Sequence, residues 1–119
     1  MKVSDEIAEV LKREGVEVMI AYPVNHVIEA AARADIRTVI VRQERIGLHM
    51  ADAMARLSSG KTIGVFAMQH GPGTENAFGG VAQAYADSVP ILLLPAAAAR
   101  DRLGVAPTFS PARSYETIT

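Results

Sequence analysis

Four short apolar runs, each followed or preceded by a helix-like segment, constrain this chain more than any other feature. They are Val16–Ala21 (VEVMIA), Arg37–Val41 (RTVIV), Thr62–Met68 (TIGVFAM) and Ile91–Leu94 (ILLL). The second, RTVIV, shows none of the alternation of polar and apolar residues that marks a strand with one wet face. Strands buried on both faces read this way, and they belong to parallel sheets whose crossovers are helices. The pattern predicts an α/β fold: a three-layer parallel sheet with helices on both faces, connected right-handedly. In such sheets ligands bind beyond the carboxyl ends of the strands.

The segments between the runs carry helix signals. Asp5–Glu14 has Ser4 as a candidate cap, Asp5 and Glu6 at its start, Lys12 and Arg13 at its end, and Gly15 as the stop. Val3, Ile7, Val10 and Leu11 are expected on its inner face. Asn25 is placed to cap a second helix through about Ala34, with Val27, Ile28 and Ala31 inward. After Glu44, Ile46, Met50, Met54 (or Ala53) and Leu57 follow core spacing, while Arg45, His49, Asp52 and Arg56 form the polar stripe. Thr74 is expected to cap a helix through about Ala86. Beyond Pro95 the pattern breaks into a loop-like stretch with no complete element. The whole chain, residues 1–119, reads as a single domain, incomplete at its C-terminus.

Composition narrows function by exclusion. Twelve basic residues face 13 acidic ones without a basic stripe, which argues against a nucleic-acid surface. There is no cysteine, so disulfides and thiolate metal sites are absent. The longest apolar run, Val89–Ala99, contains Pro90 and Pro95 and is too short to span a bilayer. The N-terminus is charged and periodic, unlike a signal peptide, and a cytoplasmic location is the expectation.

The predicted strand ends collect the residues that carry chemistry: Tyr22-Pro23, Gln43-Glu44, Gln69-His70 and Pro95. Glu44 is the leading candidate. A carboxylate where a buried strand hands over to a helix loses solvation, which raises its proton affinity and suits it to sharing a proton with a ligand. The structural alternative is a glutamate stabilised by a helix N-terminus, or paired with Arg42 or Arg45. Next comes the turn His70-Gly71-Pro72-Gly73, whose glycines let backbone amides approach a ligand ahead of a helix N-terminus. It lacks the Gly-Lys-Ser/Thr ending of a phosphate-binding P-loop, and a plain tight turn is the alternative. Gln69 and His70 are candidate donors to a substrate. No histidine–acid spacing suggests a protein-built metal site, and no nucleophile elbow is present.

Read together, EVMIAYPVNHVIEAA, VIVRQERIGLHMADAMAR and GVFAMQHGPGTENAFGGVAQAYADSVPILLL resemble one family. It is the pyrimidine-binding, N-terminal domain of thiamine-diphosphate-dependent enzymes of the acetolactate synthase and 2-oxoacid decarboxylase group. The resemblance covers nearly the whole chain. It implies the thiamine-diphosphate-binding fold and, in the intact enzyme, a lyase or transferase activity, by decarboxylation or carboligation of a 2-oxoacid. Glu44 matches the glutamate that hydrogen-bonds the cofactor's aminopyrimidine and promotes loss of the thiazolium C2 proton. Tyr22, Pro23, Gly71, Pro72, Gly73 and Asn76 match cofactor-binding positions. Gln69, His70, Phe109 and Ser110 match substrate-facing positions.

Departures accompany the match. Ala21-Tyr22-Pro23-Val24 replaces a G-x-P-G turn, His70 replaces serine, and Phe109-Ser110 replaces Phe-Gln. The family's Gly-Asp-Gly motif, which holds the diphosphate through Mg²⁺, does not occur. The resemblance therefore implies half a site here, completed by a diphosphate-binding domain or subunit, within a homo-oligomer that takes a 2-oxoacid; the isolated chain is expected to be inactive. Two further readings are the α subunit of a split sulfopyruvate- or phosphonopyruvate-type decarboxylase, and a non-catalytic α/β oligomerisation module.

Overall fold

A computed structural model describes residues 2–23 and 25–119. Four strands, β1 (Val18–Ala21), β2 (Arg37–Ile40), β3 (Gly64–Met68) and β4 (Ile91–Pro95), form one sheet in the order β2-β1-β3-β4. Every pairing is parallel, with Val18 opposite Arg37, Ile20 opposite Phe66 and Gly64 opposite Ile91. The helices are α1 (Val3–Arg13), α2 (Val27–Arg33), α3 (Glu44–Leu57), α4 (Pro72–Asn76), α5 (Phe78–Ala86) and α6 (Ala112–Tyr115), with a 3-10 turn at Arg100–Arg102. This is the α/β parallel sheet predicted from the four runs. No described helix is long and apolar enough to cross a membrane.

The missing alternation has a direct explanation. On one face Met19, Ala21, Val65 and Ala67 pack with Leu11, Val27 and Ala31 of α1 and α2. On the other face Ile20, Phe66 and Met68 pack with Leu48, Ala51, Ala77, Val81 and Tyr115. Successive strand residues point to opposite faces, and here both faces are covered. β3, at the centre, is buried throughout. β2 departs from the expectation of full burial: it is an edge strand, and Ile40 is exposed.

Helix faces differ from the sequence expectation at α1 and α3. In α1 the buried residues are Ala8 and Leu11, with Ile7 partly buried, whereas Val3 and Val10 face out. Its cap lies at Lys2, so Ser4 is inside the helix; the Asp5 carboxylate accepts from the Lys2 backbone amide at 3.2 Å. Arg33 of α2 also donates to Asp5, and this pairing holds the Asp5 carboxyl below its ordinary range.

In α3 the expected core stripe holds only at Met54, which packs against the core, partly buried. Ile46, Met50 and Leu57 are exposed, Leu57 to 86%, and the buried face is Glu44, Gly47, Leu48, Ala51, Asp52 and Ala55. Small size decides the matter. A Cβ on Gly47 would stand 2.4 Å from the Phe66 ring, and one on Gly64 would stand 2.1 Å from the Ala51 carbonyl oxygen. Only glycine and alanine let α3 lie this close to β1 and β3, and the dense contact repays the modest size of each residue. Asp52 of the nominal polar stripe is buried as well. Arg56 donates to both its oxygens at 3.0 and 3.1 Å and to Asp87, just beyond α5, at 2.9 Å. The two carboxylates raise the guanidinium's proton affinity, Asp52 chiefly, and the triad ties α3 to the end of α5.

Candidate functional site

Glu44 is the first residue of α3, preceded by Gln43 in an extended conformation. It follows β2, while Gly71–Asn76 follows β3, and these two strands flank β1. The ends of neighbouring strands therefore bring Glu44 and Asn76 together over the carboxyl end of β1. The close seating of Gly47 on Phe66 and Val41 draws the start of α3 down to the sheet, which leaves Glu44 only 7% exposed.

Asn76 Nδ2 donates to Glu44 Oε2 at 3.1 Å. Glu44 Oε1 lies 2.9 Å from the position a Cβ on Gly73 would take, so the missing side chain of Gly73 makes room for the carboxylate. Gln69 Cβ is equally close to that position. No buried side-chain oxygen or nitrogen among the described residues lacks a hydrogen-bond partner. A cleft of about 280 Å³, lined by Gln43, Glu44, Arg45 and Asn76, opens beside the carboxylate.

The Gly-Pro-Gly turn is fixed by its own chemistry. Gly71 has φ 60° and ψ −124°, a conformation closed to side chains. Pro72 takes the first helical position, where its missing N–H costs nothing. The helix thus starts at Pro72, ahead of Thr74, and α4 ends after five residues before α5 begins. Thr74 is no cap; its hydroxyl donates to the Gln69 carbonyl at 2.8 Å from a buried position. So short a helix makes a poor anion site, and the turn serves the carboxylate above it.

The stretch after β4 also closes onto this turn. Phe109 lies 3.9 Å from where a Gly71 Cβ would be, Ser114 donates to Glu75 at 2.7 Å, and the Tyr115 hydroxyl donates to the Thr74 carbonyl. Tyr115 meets Phe78 edge-to-face at 5.3 Å between ring centres. Burial, assisted by the charge of Glu75, pushes the Tyr115 hydroxyl up to about 12. The segment expected to lack any complete element therefore contains one, α6, anchored by this tyrosine.

Of the sequence-predicted site residues, the structure brings Glu44, Gln69, Gly73 and Asn76 together, with Phe109 and Gly71 adjoining. Pro72 and His70 are exposed on the same turn, and Ser110 is exposed beside Phe109. Tyr22 is half-buried, its amide donating to the Ala67 carbonyl at 2.9 Å. Pro23 lines a separate cleft of about 550 Å³ with Lys2, Asn25, His26 and Arg33. Val24 lies outside the described residues. Asn25 stands one residue ahead of the cap of α2, which is His26; its Nδ2 donates to the Met68 and Leu94 carbonyls at 2.9 and 2.8 Å, and its Oδ1 accepts from Val27 at 3.0 Å. One side chain thus joins the ends of β3 and β4 at the rim. A polar residue two positions after a strand-end proline was the only signal of it in the sequence.

Comparison with known proteins shows the family. The family profile described as "Thiamine pyrophosphate enzyme, N-terminal TPP binding domain" matches residues 1–115. The chain belongs to this family. It is 36% identical over 95 residues to the acetolactate synthase large subunit of Haemophilus influenzae, covering 76% of this chain. It is 35% identical over 95 residues to acetolactate synthase isozyme 3 large subunit of Escherichia coli, again 76% of the chain. Against acetolactate synthase 2, chloroplastic, of Brassica napus, identity is 38% over 105 residues, or 85% of the chain. In each case the match spans 16% of the relative's own length.

A thiamine pyrophosphate enzyme domain implies thiamine diphosphate, and the site fits one end of it. The cleft of about 280 Å³ beside Glu44 is walled by the polar side chains of Gln43, Arg45 and Asn76. The buried Glu44 carboxylate stands beside it. Among the described residues no cluster of three or more acidic or histidine side chains could hold a metal ion.

Proposed function

We propose that this chain is the pyrimidine half-site of a thiamine-diphosphate-dependent, acetolactate synthase-like enzyme that decarboxylates or carboligates a 2-oxoacid. The observation that carries the reading is the buried Glu44 carboxylate, held at a strand end beside an open polar cleft. When bound, thiamine diphosphate would supply a nucleophilic thiazolium carbon for addition to the keto carbon of the 2-oxoacid. The protein's part in the half-site is to place a carboxylate at the aminopyrimidine. Glu44 exchanges a proton with the ring nitrogen. Tyr22, Gly71, Pro72 and Gly73 form the surrounding rim, whereas Pro23 lines the separate cleft and has no part in this half-site; Gln69, His70, Phe109 and Ser110 face the substrate.

The diphosphate and its Mg²⁺ are assigned to another domain or subunit. The exposed apolar side chains of α3, Ile46, Met50 and Leu57, support such a neighbour, because a docked domain would bury them within one helix length of Glu44. A homo-oligomeric enzyme is the assembly proposed.

The test is Glu44→Gln in the intact enzyme, read by hydrogen–deuterium exchange at C2 of the bound cofactor. The amide keeps the shape and removes the exchangeable acid. Exchange is expected to fall by about 10²–10⁴-fold, the usual contribution of a positioned acid or base, while the variant stays folded. Exchange close to that of the unaltered enzyme sinks the proposal.

A further inference from the structure

Asn76 stands among the residues matched to cofactor binding, yet its side chain is engaged by the protein itself. Its Nδ2 donates to Glu44 Oε2 at 3.1 Å. The other oxygen, Oε1, accepts no hydrogen bond from any described residue, and because no buried polar side-chain atom there is left unpartnered, it retains contact with solvent. Oε1 sits over Gly73, 2.9 Å from where a Cβ would be, with Gln69 Cβ walling the same spot.

The two carboxylate oxygens are therefore unequal. An amide donor on Oε2 restrains the carboxylate's rotation about its last torsion, which is broad when unrestrained. The bare backbone at Gly73 gives Oε1 a place to rest.

Resting on the reading that Glu44 meets the cofactor ring, we infer that Asn76 is a positioning residue that acts through Glu44 rather than on the cofactor. Asn76 occupies Oε2, Gly73 leaves space for Oε1, and Oε1 is the oxygen that exchanges a proton with the ring nitrogen. The Gly-Pro-Gly-x-x-Asn turn is, in this chain, a seat for a carboxylate. Asn76→Ala leaves both oxygens unrestrained. Asn76→Asp, of the same shape, replaces the donor with a second carboxylate and drives Glu44 off its seat.

Two measurements test this. In the cofactor-free chain, the Asn76 side-chain amide signals in ¹⁵N–¹H NMR spectra are compared with those of Glu44→Ala. Loss of the carboxylate is expected to move these signals and speed their solvent exchange; unchanged signals overturn the inference.

In the intact enzyme, calorimetry gives the Kd of thiamine diphosphate with Mg²⁺, and C2 hydrogen–deuterium exchange gives the cofactor's activation rate. For Asn76→Ala, exchange is expected to fall on the order of 10- to 100-fold, as for a misplaced reacting group, with Kd within about threefold. Asn76→Asp is expected to lose more exchange than Asn76→Ala, with Kd again held; it also serves if the alanine variant does not fold. A Kd that rises in step with the lost exchange would show that Asn76 touches the cofactor itself, and unaltered exchange would show no role; either overturns the inference. If the unaltered enzyme binds no cofactor, the half-site reading fails and this inference with it, a result distinct from any that concerns Asn76 alone.

Discussion

Gly64→Ala and Gly79→Ala add the same methyl group at two places in the protein and are expected to act with opposite signs. At Gly64 the new Cβ would stand 2.1 Å from the backbone oxygen of Ala51 in α3. That is well over 1 Å inside the separation of about 3.5 Å at which non-bonded atoms attract. The Ala51 oxygen belongs to a helical peptide and cannot step aside alone, so α3 must lift from β3. Lifting would pull Leu48, Ala51 and Ala55 off Phe66 and its neighbours. Overpacking usually costs about 1–3 kcal/mol, and a clash with backbone belongs at the upper end, about 3 kcal/mol. For a domain of this size that corresponds to a fall in Tm of roughly 10 °C.

At Gly79, in α5, nothing lies within 4 Å of the added atom. Alanine there removes the entropic penalty of glycine in a helix, and the gain is about 0.4–1 kcal/mol, or a Tm higher by a few degrees. The assay is thermal unfolding followed by circular dichroism, with urea unfolding as a check on the slope. If the two variants shift Tm in the same direction, or Gly64→Ala costs less than about 1 kcal/mol, the account of α3 packing is wrong.

Tyr115 predicts an alkaline limit. Its proton is held up to about 12 in the folded state, against about 10 in an unfolded chain. The folded form thus binds the proton more tightly. This contribution is fully present below pH 10 and is lost as pH rises from about 10 to 12, by about 3 kcal/mol at most. Urea unfolding against pH should show that decline, and Tyr115→Phe should flatten it; an unchanged decline in the phenylalanine variant contradicts the assignment. Asn25→Ala removes two donated bonds and one accepted bond. At about 1 kcal/mol each, with water replacing part of the loss, the cost should be roughly 2–3 kcal/mol. Asn25→Asp retains only the Val27 contact and sets an anion against two carbonyl oxygens, so it should cost at least as much. An aspartate variant as stable as the unaltered protein would refute the strand-end bridge.

Much of the site was legible because local pattern and fold coincide there. Val39–Val41 had to end before Glu44, and Gly71-Pro72-Gly73 had to turn, whatever their neighbours. What failed was the choice of helix face. Large apolar residues at Ile46, Met50 and Leu57 mark a stripe with the right period, but the adjoining stripe of Gly47, Ala51 and Ala55 is the one that fits the sheet. Periodicity gives the angle between residues on a helix and leaves open which face a partner will accept. Size complementarity with Phe66 and Gly64, distant in sequence, made that choice. Val3 and Val10 in α1 misled for the same reason.

By itself the sequence determined the parallel sheet, the positions of its strand ends and the presence of a carboxylate at one of them. These follow from local rules: two-faced burial removes alternation, and glycine and proline fix turns. Only the tertiary structure decided that Asn76 reaches Glu44 Oε2, that Gly73 lies beneath Oε1, that Asn25 joins β3 to β4, and that Tyr115 closes the far end of the chain over Thr74. The hydrogen bonds among them join residues 32, 43, 69 and 41 positions apart in the chain, and those made by Glu44 depend on how closely α3 settles on the sheet. That closeness is a property of packed volumes, which no local pattern encodes.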